Sequence, residues 1–300
     1  MTYSVDLFFK PGIGLERIAR YFAARGRFSV SGREAAYRNE DTQVGFFFKF
    51  RHGRSLLLRR TVASAEFEVN YNRPSWFGDE AEIELSAFVA AFRPRIDPQM
   101  RGMNRGPYSG AGFLRGWDFG NTFSIRTMLF ERPDFRMATL PRERLRSIWA
   151  WNYARAAEHA ATGDRRFTPL IQFFSIDGRV CTVAVWSQGM PVLLPKVDYV
   201  LVGRLAGNDR RFGLEPWSEV LDVVAQNPRF DLGNDPLALE YFQTPPAIAK
   251  WVNSVKAVDL QTLERLSPLQ VYDAELAAAA RKSIAIGEIN GAITLEPPPR

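Results

Sequence analysis

Two histidines, His52 and His159, and one cysteine, Cys181, are all that 300 residues offer to imidazole or thiol chemistry. A histidine-based metal centre needs two or three ligands from His, Cys and carboxylates converging on one point. The two histidines lie more than a hundred residues apart, His52 beside Gly53 in a basic turn and His159 in an alanine-rich run, and neither has a ligand-spaced partner. No metal and no cofactor is expected. Cys181 sits in the strand-like run Arg179–Trp186 and reads as a buried structural thiol. There is no Gly-x-Ser-x-Gly elbow. Gly12-Ile-Gly14 lacks both the later glycine of a dinucleotide fingerprint and a phosphate-loop lysine.

Carboxylates remain as acid/base candidates. Asp118, in Gly116-Trp-Asp-Phe-Gly120, and Asp198, in Pro195-Lys-Val-Asp-Tyr-Val200, are the most suggestive. Asp198 alternates with Val197 and Tyr199, so an inward-facing charge would need a partner, and Lys196 two residues earlier is the expected one. A structural ion pair or turn cap is the ordinary role of such residues. The chemical alternative is a hydrolase or transferase using Asp118 or Asp198 beside an arginine- and glycine-rich, anion-binding loop. The acidic run Asp79, Glu80, Glu82 and Glu84 falls in the first turns of a helix, where the dipole favours negative charge, and is not read as a metal site.

Arginine interleaved with aromatics is the other chemical signal. Arg73 and Trp76 form one cluster with Tyr71 and Phe77; Arg101, Arg105, Tyr108, Arg115 and Trp117 form a second, next to Asp118. Tryptophan, tyrosine and arginine anchor protein interfaces, and the same types stack on single-stranded bases. We take Arg73, Trp76, Arg101, Arg105, Tyr108, Arg115, Trp117 and Asp118 as the partner-binding set. A net charge of +6 and an isoelectric point near 9.6 permit nucleic-acid binding. The charge is carried by 33 arginines and 6 lysines, the pattern a GC-rich genome produces, and no nucleic-acid-binding motif is legible, so nucleic acid is not the expected partner.

The elements that must position these residues follow from periodicity. Tyr3–Phe9, Phe28–Val30, Val44–Phe50, Ser55–Val62 and Ala65–Tyr71 have strand patterns, with a helix over Gly14–Arg25 and another over Asp79–Phe92. Pro94–Gly120 is rich in arginine and glycine, has little periodicity, and reads as a long irregular connection. Asn121–Glu131 and Pro141–Thr162 look helical. Asp177-Gly178, between two apolar runs, is the strongest hairpin signal. Short strands continue through Pro191–Leu194, Val197–Arg204 and Leu237–Phe242. Helices are expected over Leu214–Ala225, Pro245–Val255 and Ala274–Lys282, with disorder at Pro297–Arg300. The fold class is α+β, two mixed halves each with an antiparallel-rich sheet and packed helices. The expected division is an N-terminal α+β domain over 1–95, an irregular connection with helices over 96–165, and a C-terminal α+β domain over 166–300. A strand–proline turn–helix echo between Phe67–Pro74 and Leu239–Pro245 suggests that the halves are alike. No apolar run approaches the ~18 residues that span a bilayer, so a membrane is not an expected partner, and cysteine usage points to the cytoplasm.

Three stretches carry a resemblance: Val185-Trp-Ser-Gln-Gly-Met-Pro191 running on to Val202, Tyr37-Arg-Asn-Glu-Asp41-Thr, and Asn70-Tyr-Asn-Arg-Pro74-Ser-Trp-Phe77. They resemble a group of proteobacterial and myxobacterial proteins found near polymorphic or secreted toxins. The resemblance implies a cytoplasmic immunity protein that binds one cognate toxin. It carries no catalytic signature. Many immunity proteins are acidic whereas this chain is basic, which would suit an acidic toxin or one gripped by shape.

Overall fold

The computed structural model describes residues 1–53, 61–98, 107–187, 189–206, 209–226, 237–239 and 243–289. They form an α+β protein in two compact units, Met1–Arg142 with Tyr272–Arg300, and Glu143–Val271. The expected boundaries at 95 and 165 divide the chain differently. The helix expected over Pro141–Thr162 belongs, past its first residues, with the second unit, and the C-terminal stretch returns to the first.

In the first unit β1 (Thr2–Phe8), α1 (Leu15–Ala23), β2 (Phe28–Ser31), β3 (Glu34–Arg38), β4 (Gly45–His52), β5 (Val62–Asn70), α2 (Trp76–Phe92) and β6 (Arg95–Pro98) follow one another. The strands form one six-stranded sheet in the order β2-β3-β4-β5-β1-β6, antiparallel at every pairing. Alternation along β4 explains the layering. Phe46, Phe48 and Phe50 are buried, while Lys49 and Arg51 are exposed and pair with Glu68 and Glu66 of β5 at 2.5 and 3.0 Å. Phe22 of α1 and Phe88 of α2 cover the inner face. Their rings stack with centroids 5.5 Å apart, and Phe88 lies 4.7 Å from Phe48.

The next helix, α3 (Gly110–Glu131), corrects the reading of Pro94–Gly120 as irregular throughout. Ser109 caps it, its hydroxyl accepting from the Gly112 N–H at 3.2 Å. Glycines in a helix cost about 1 kcal/mol each relative to alanine, which is why the segment lacks a helical signature. Here they let other groups approach: a Cβ at Gly116 would collide with the Tyr3 hydroxyl, and one at Gly120 with that of Tyr71. The acids of α2 also differ from expectation. Glu80 is fully buried and accepts from the Tyr37 hydroxyl at 2.7 Å and Asn39 Nδ2 at 2.8 Å. Glu84 pairs with Arg25 at 2.8 Å.

After β7 (Ala138–Leu140) the chain enters α4 (Arg142–Thr162), and the second unit begins within its first turn. Then come β8 (Gln172–Ile176), β9 (Arg179–Ser187), β10 (Val192–Leu194), β11 (Tyr199–Ala206), β12 (Asp209–Pro216), α5 (Trp217–Ala225), β13 (Leu237–Leu239), α6 (Pro246–Ser254) and β14 (Glu264–Leu266). The turn between β8 and β9 is the expected Asp177-Gly178 hairpin, both residues at positive φ, 50° and 72°. The five-stranded sheet runs β12-β11-β9-β8-β14, with β9 and β11 parallel, and β10 pairs with β13 separately. This order has no counterpart in the first unit, so the two sheets are not copies of one topology. Cys181 is buried in β9, as expected of a structural thiol.

The chain then returns to the first unit through β15 (Val271–Asp273), which pairs with β7, and α7 (Ala274–Ile289). Tyr272, Leu276 and Ala280 close over Ile125 and Leu129 of α3. Expectations for Ser55–Thr61, Glu240–Phe242 and the last residues fall wholly or largely outside the described residues. No helix among the described residues is long and apolar enough to cross a membrane.

Candidate functional site

The second unit holds a cleft of about 500 Å³ lined by Asp198, one of the two carboxylates singled out from sequence. Four positions of α4 reach it, Arg144, Ser147, Ile148 and Trp151, spaced to share one helical face. Trp151 is held by its indole N–H, which donates to the Pro169 carbonyl at 2.8 Å. Asn152, buried next to it, both donates to the Ile171 carbonyl and accepts from the Ile171 N–H, each at 3.0 Å. These bonds fix the helix against the strand that follows.

Asp198 lies just ahead of β11 rather than within it. Its Oδ2 accepts three hydrogen bonds, from Arg144 Nη2 at 2.5 Å, the Thr182 N–H at 2.7 Å and the Thr182 hydroxyl at 2.9 Å. The Thr182 hydroxyl in turn accepts from the Asp198 N–H and from Arg144, both at 3.0 Å. Burial alone would raise the Asp198 carboxyl, but the bonds from Arg144 and Thr182 outweigh it and hold it below the usual aspartate range. It is therefore an ionised acceptor at neutral pH and a poor proton acceptor. Sequence proximity pointed to Lys196 as the partner; the cation bonded here is Arg144, 54 positions away. No sequence spacing signals such a pair. Lys196 is exposed at the cleft mouth.

The predicted partner-binding residues belong to the first unit, and those among the described residues divide into three groups. Trp76 and Trp117 are core residues, 3% and 0% exposed, and the Trp117 ring stacks on Tyr71 with centroids 5.4 Å apart. This corrects their reading as interface anchors, since side chains so placed present nothing to a partner. Arg73 packs over the Phe77 ring at 5.9 Å and is locked by its backbone, whose carbonyl accepts from Asn121 Nδ2 at 2.7 Å. The Tyr108 hydroxyl lies 3.1 Å from that of Ser86, and burial raises its pKa. Arg101 and Arg105 lie outside the described residues.

Arg115 and Asp118 are the members that face outward. They stand three residues apart on α3; Arg115 lies one turn before Phe119, a phenylalanine 49% exposed, and Asp118 directly precedes it. Asp118, 43% exposed, pairs with Arg142 at 3.6 Å. Helical phase explains the split: once Trp117 points inward, Asp118 and Phe119 must point away. A helix that starts at Gly110 places these residues so from the sequence alone. Among the described residues no group of histidine, cysteine and carboxylates is arranged to hold a metal ion.

Compared with known proteins, the chain matches no family profile, no curated sequence and no solved structure.

Proposed function

We propose that the protein is an immunity-type binding protein of the bacterial cytoplasm that neutralises a cognate secreted or polymorphic toxin by holding it. The observation that carries this reading is the outer face of α3, where an exposed phenylalanine, Phe119, stands beside Arg115 and the Asp118–Arg142 pair. A large aromatic rimmed by charge is the composition of an interface anchor. The resemblance of Tyr37–Thr42, Asn70–Phe77 and Val185–Val202 to proteins found near toxins supports the same reading. The test is co-expression with the product of the neighbouring toxin gene. Protection from toxicity and a stable complex are expected, and Phe119→Ala should weaken the complex by about 2 kcal/mol, roughly 30-fold. Absence of both protection and co-purification would remove the reading.

A second reading, a hydrolase or transferase, draws on the polar cleft at Asp198. A low carboxyl pKa and three donors on one oxygen suit anchoring better than proton abstraction.

A further inference from the structure

The cleft of the second unit brings together a half-used cation, a half-used anion and an apolar wall. Arg144 makes its bonds to Asp198 and Thr182 through Nη2 alone, and its Nη1 and Nε make no bond among the described residues. All three donors to Asp198 converge on Oδ2, leaving Oδ1 without a donor among the described residues. Both side chains are partly open to solvent, at 39% and 31%. A guanidinium carries five donors in a fixed fork and a carboxylate about four acceptor positions, so each retains capacity for a ligand. Ile148 and Trp151 form an apolar wall on the same cleft, and Lys196 adds a second cation at its mouth.

We propose that this cleft binds a free α-amino acid with an apolar side chain. Two opposite charges carried by groups on one carbon are what an α-amino acid presents. Its carboxylate would take the open edge of Arg144, with Lys196 nearby, and its ammonium would take Oδ1 of Asp198. The Arg144–Asp198 bond sets these two positions side by side, and the ligand's side chain lies against Trp151 and Ile148. A simple anion would leave the Asp198 oxygen unanswered and facing a like charge; a simple amine would do the same at Arg144. The cleft volume of about 500 Å³ falls within the range of small-molecule sites. This assignment stands apart from toxin binding, which rests on α3 of the other unit.

Isothermal titration calorimetry of the full chain with L-phenylalanine and L-leucine tests it. One-to-one binding of at least one is expected. 3-Phenylpropionate, which lacks the ammonium, and phenylethylamine, which lacks the carboxylate, should each bind L-phenylalanine's site about tenfold more weakly or worse, because each leaves a charged group unpaired. The double variant Arg144→Gln/Asp198→Asn should abolish binding. Lys196→Glu, which reverses the charge beside the ligand's carboxylate, should weaken it about tenfold in protein whose melting transition shows it to be folded. Phe119→Ala should bind as the parent does. No heat with either amino acid up to about 10 mM, equal affinity for 3-phenylpropionate, or undiminished binding by folded Lys196→Glu each overturns the proposal.

Discussion

Arg142 and Arg144 stand two residues apart at the start of α4, and each meets an aspartate, yet the two pairs differ in what they leave over. In the first unit Asp273 is fully buried. Its Oδ1 accepts from the Ser75 hydroxyl at 2.6 Å and Arg142 Nε at 3.2 Å, and its Oδ2 accepts from the Ser75 N–H at 2.9 Å. Both oxygens are used, and the carboxylate sits at the N-terminus of α2, where the helix dipole favours it. In the second unit Asp198 crowds three donors onto one oxygen and keeps the other. The residue types are the same. What separates a structural pair from an available one is the distribution of donors over the two oxygens, together with burial.

The largest effect expected from breaking this contrast is at Asp273. Asp273→Ala strips a buried acceptor from the Ser75 N–H and hydroxyl and from the Arg142 guanidinium, and should cost the first unit about 3 kcal/mol. Native-state hydrogen exchange at the amides of α2 reads this, since it reports each unit separately. Gly116→Ala should cost the same unit about 2 kcal/mol, because its Cβ enters the space held by the Tyr3 hydroxyl. If it is silent, the first unit is looser than its packing indicates.

Asp198→Ala should cost the second unit only about 1 kcal/mol, the pair being partly solvated. Its pH signature sharpens the comparison. The folded Asp198 carboxyl lies below its unfolded value, so its contribution is present above about pH 4, the ordinary aspartate range, and is lost as pH falls through the depressed folded value. Acid titration of the second unit's stability should therefore be shallower in Asp198→Asn than in the parent.

Much of the fold was legible because alternation is strong where one sheet face is buried, as in Phe46-Phe47-Phe48-Lys49-Phe50. The hairpin at Asp177-Gly178 was legible because its turn requires positive φ at both residues. The first turns of α3 were hidden because Gly110, Gly112, Gly116 and Gly120 serve close packing rather than helix propensity. At the candidate sites, residue type selected Asp198, Arg115 and Asp118 but could not tell an aromatic anchor from a core tryptophan. Arg144 is not legible in the sequence because its role depends on a tertiary contact between α4 and the segment before β11, and no local pattern encodes it.

The return of β15 and α7 to the first unit has a consequence for biosynthesis. On the ribosome the second unit is a continuous stretch that can close as soon as it emerges. The first is split around it: the side of α3 carrying Ile125 and Leu129 gains its cover only when Tyr272, Leu276 and Ala280 are made. The unit whose sequence comes first is thus the last to be completed, and its exposed apolar helix is the surface a nascent-chain chaperone would meet while the rest is translated.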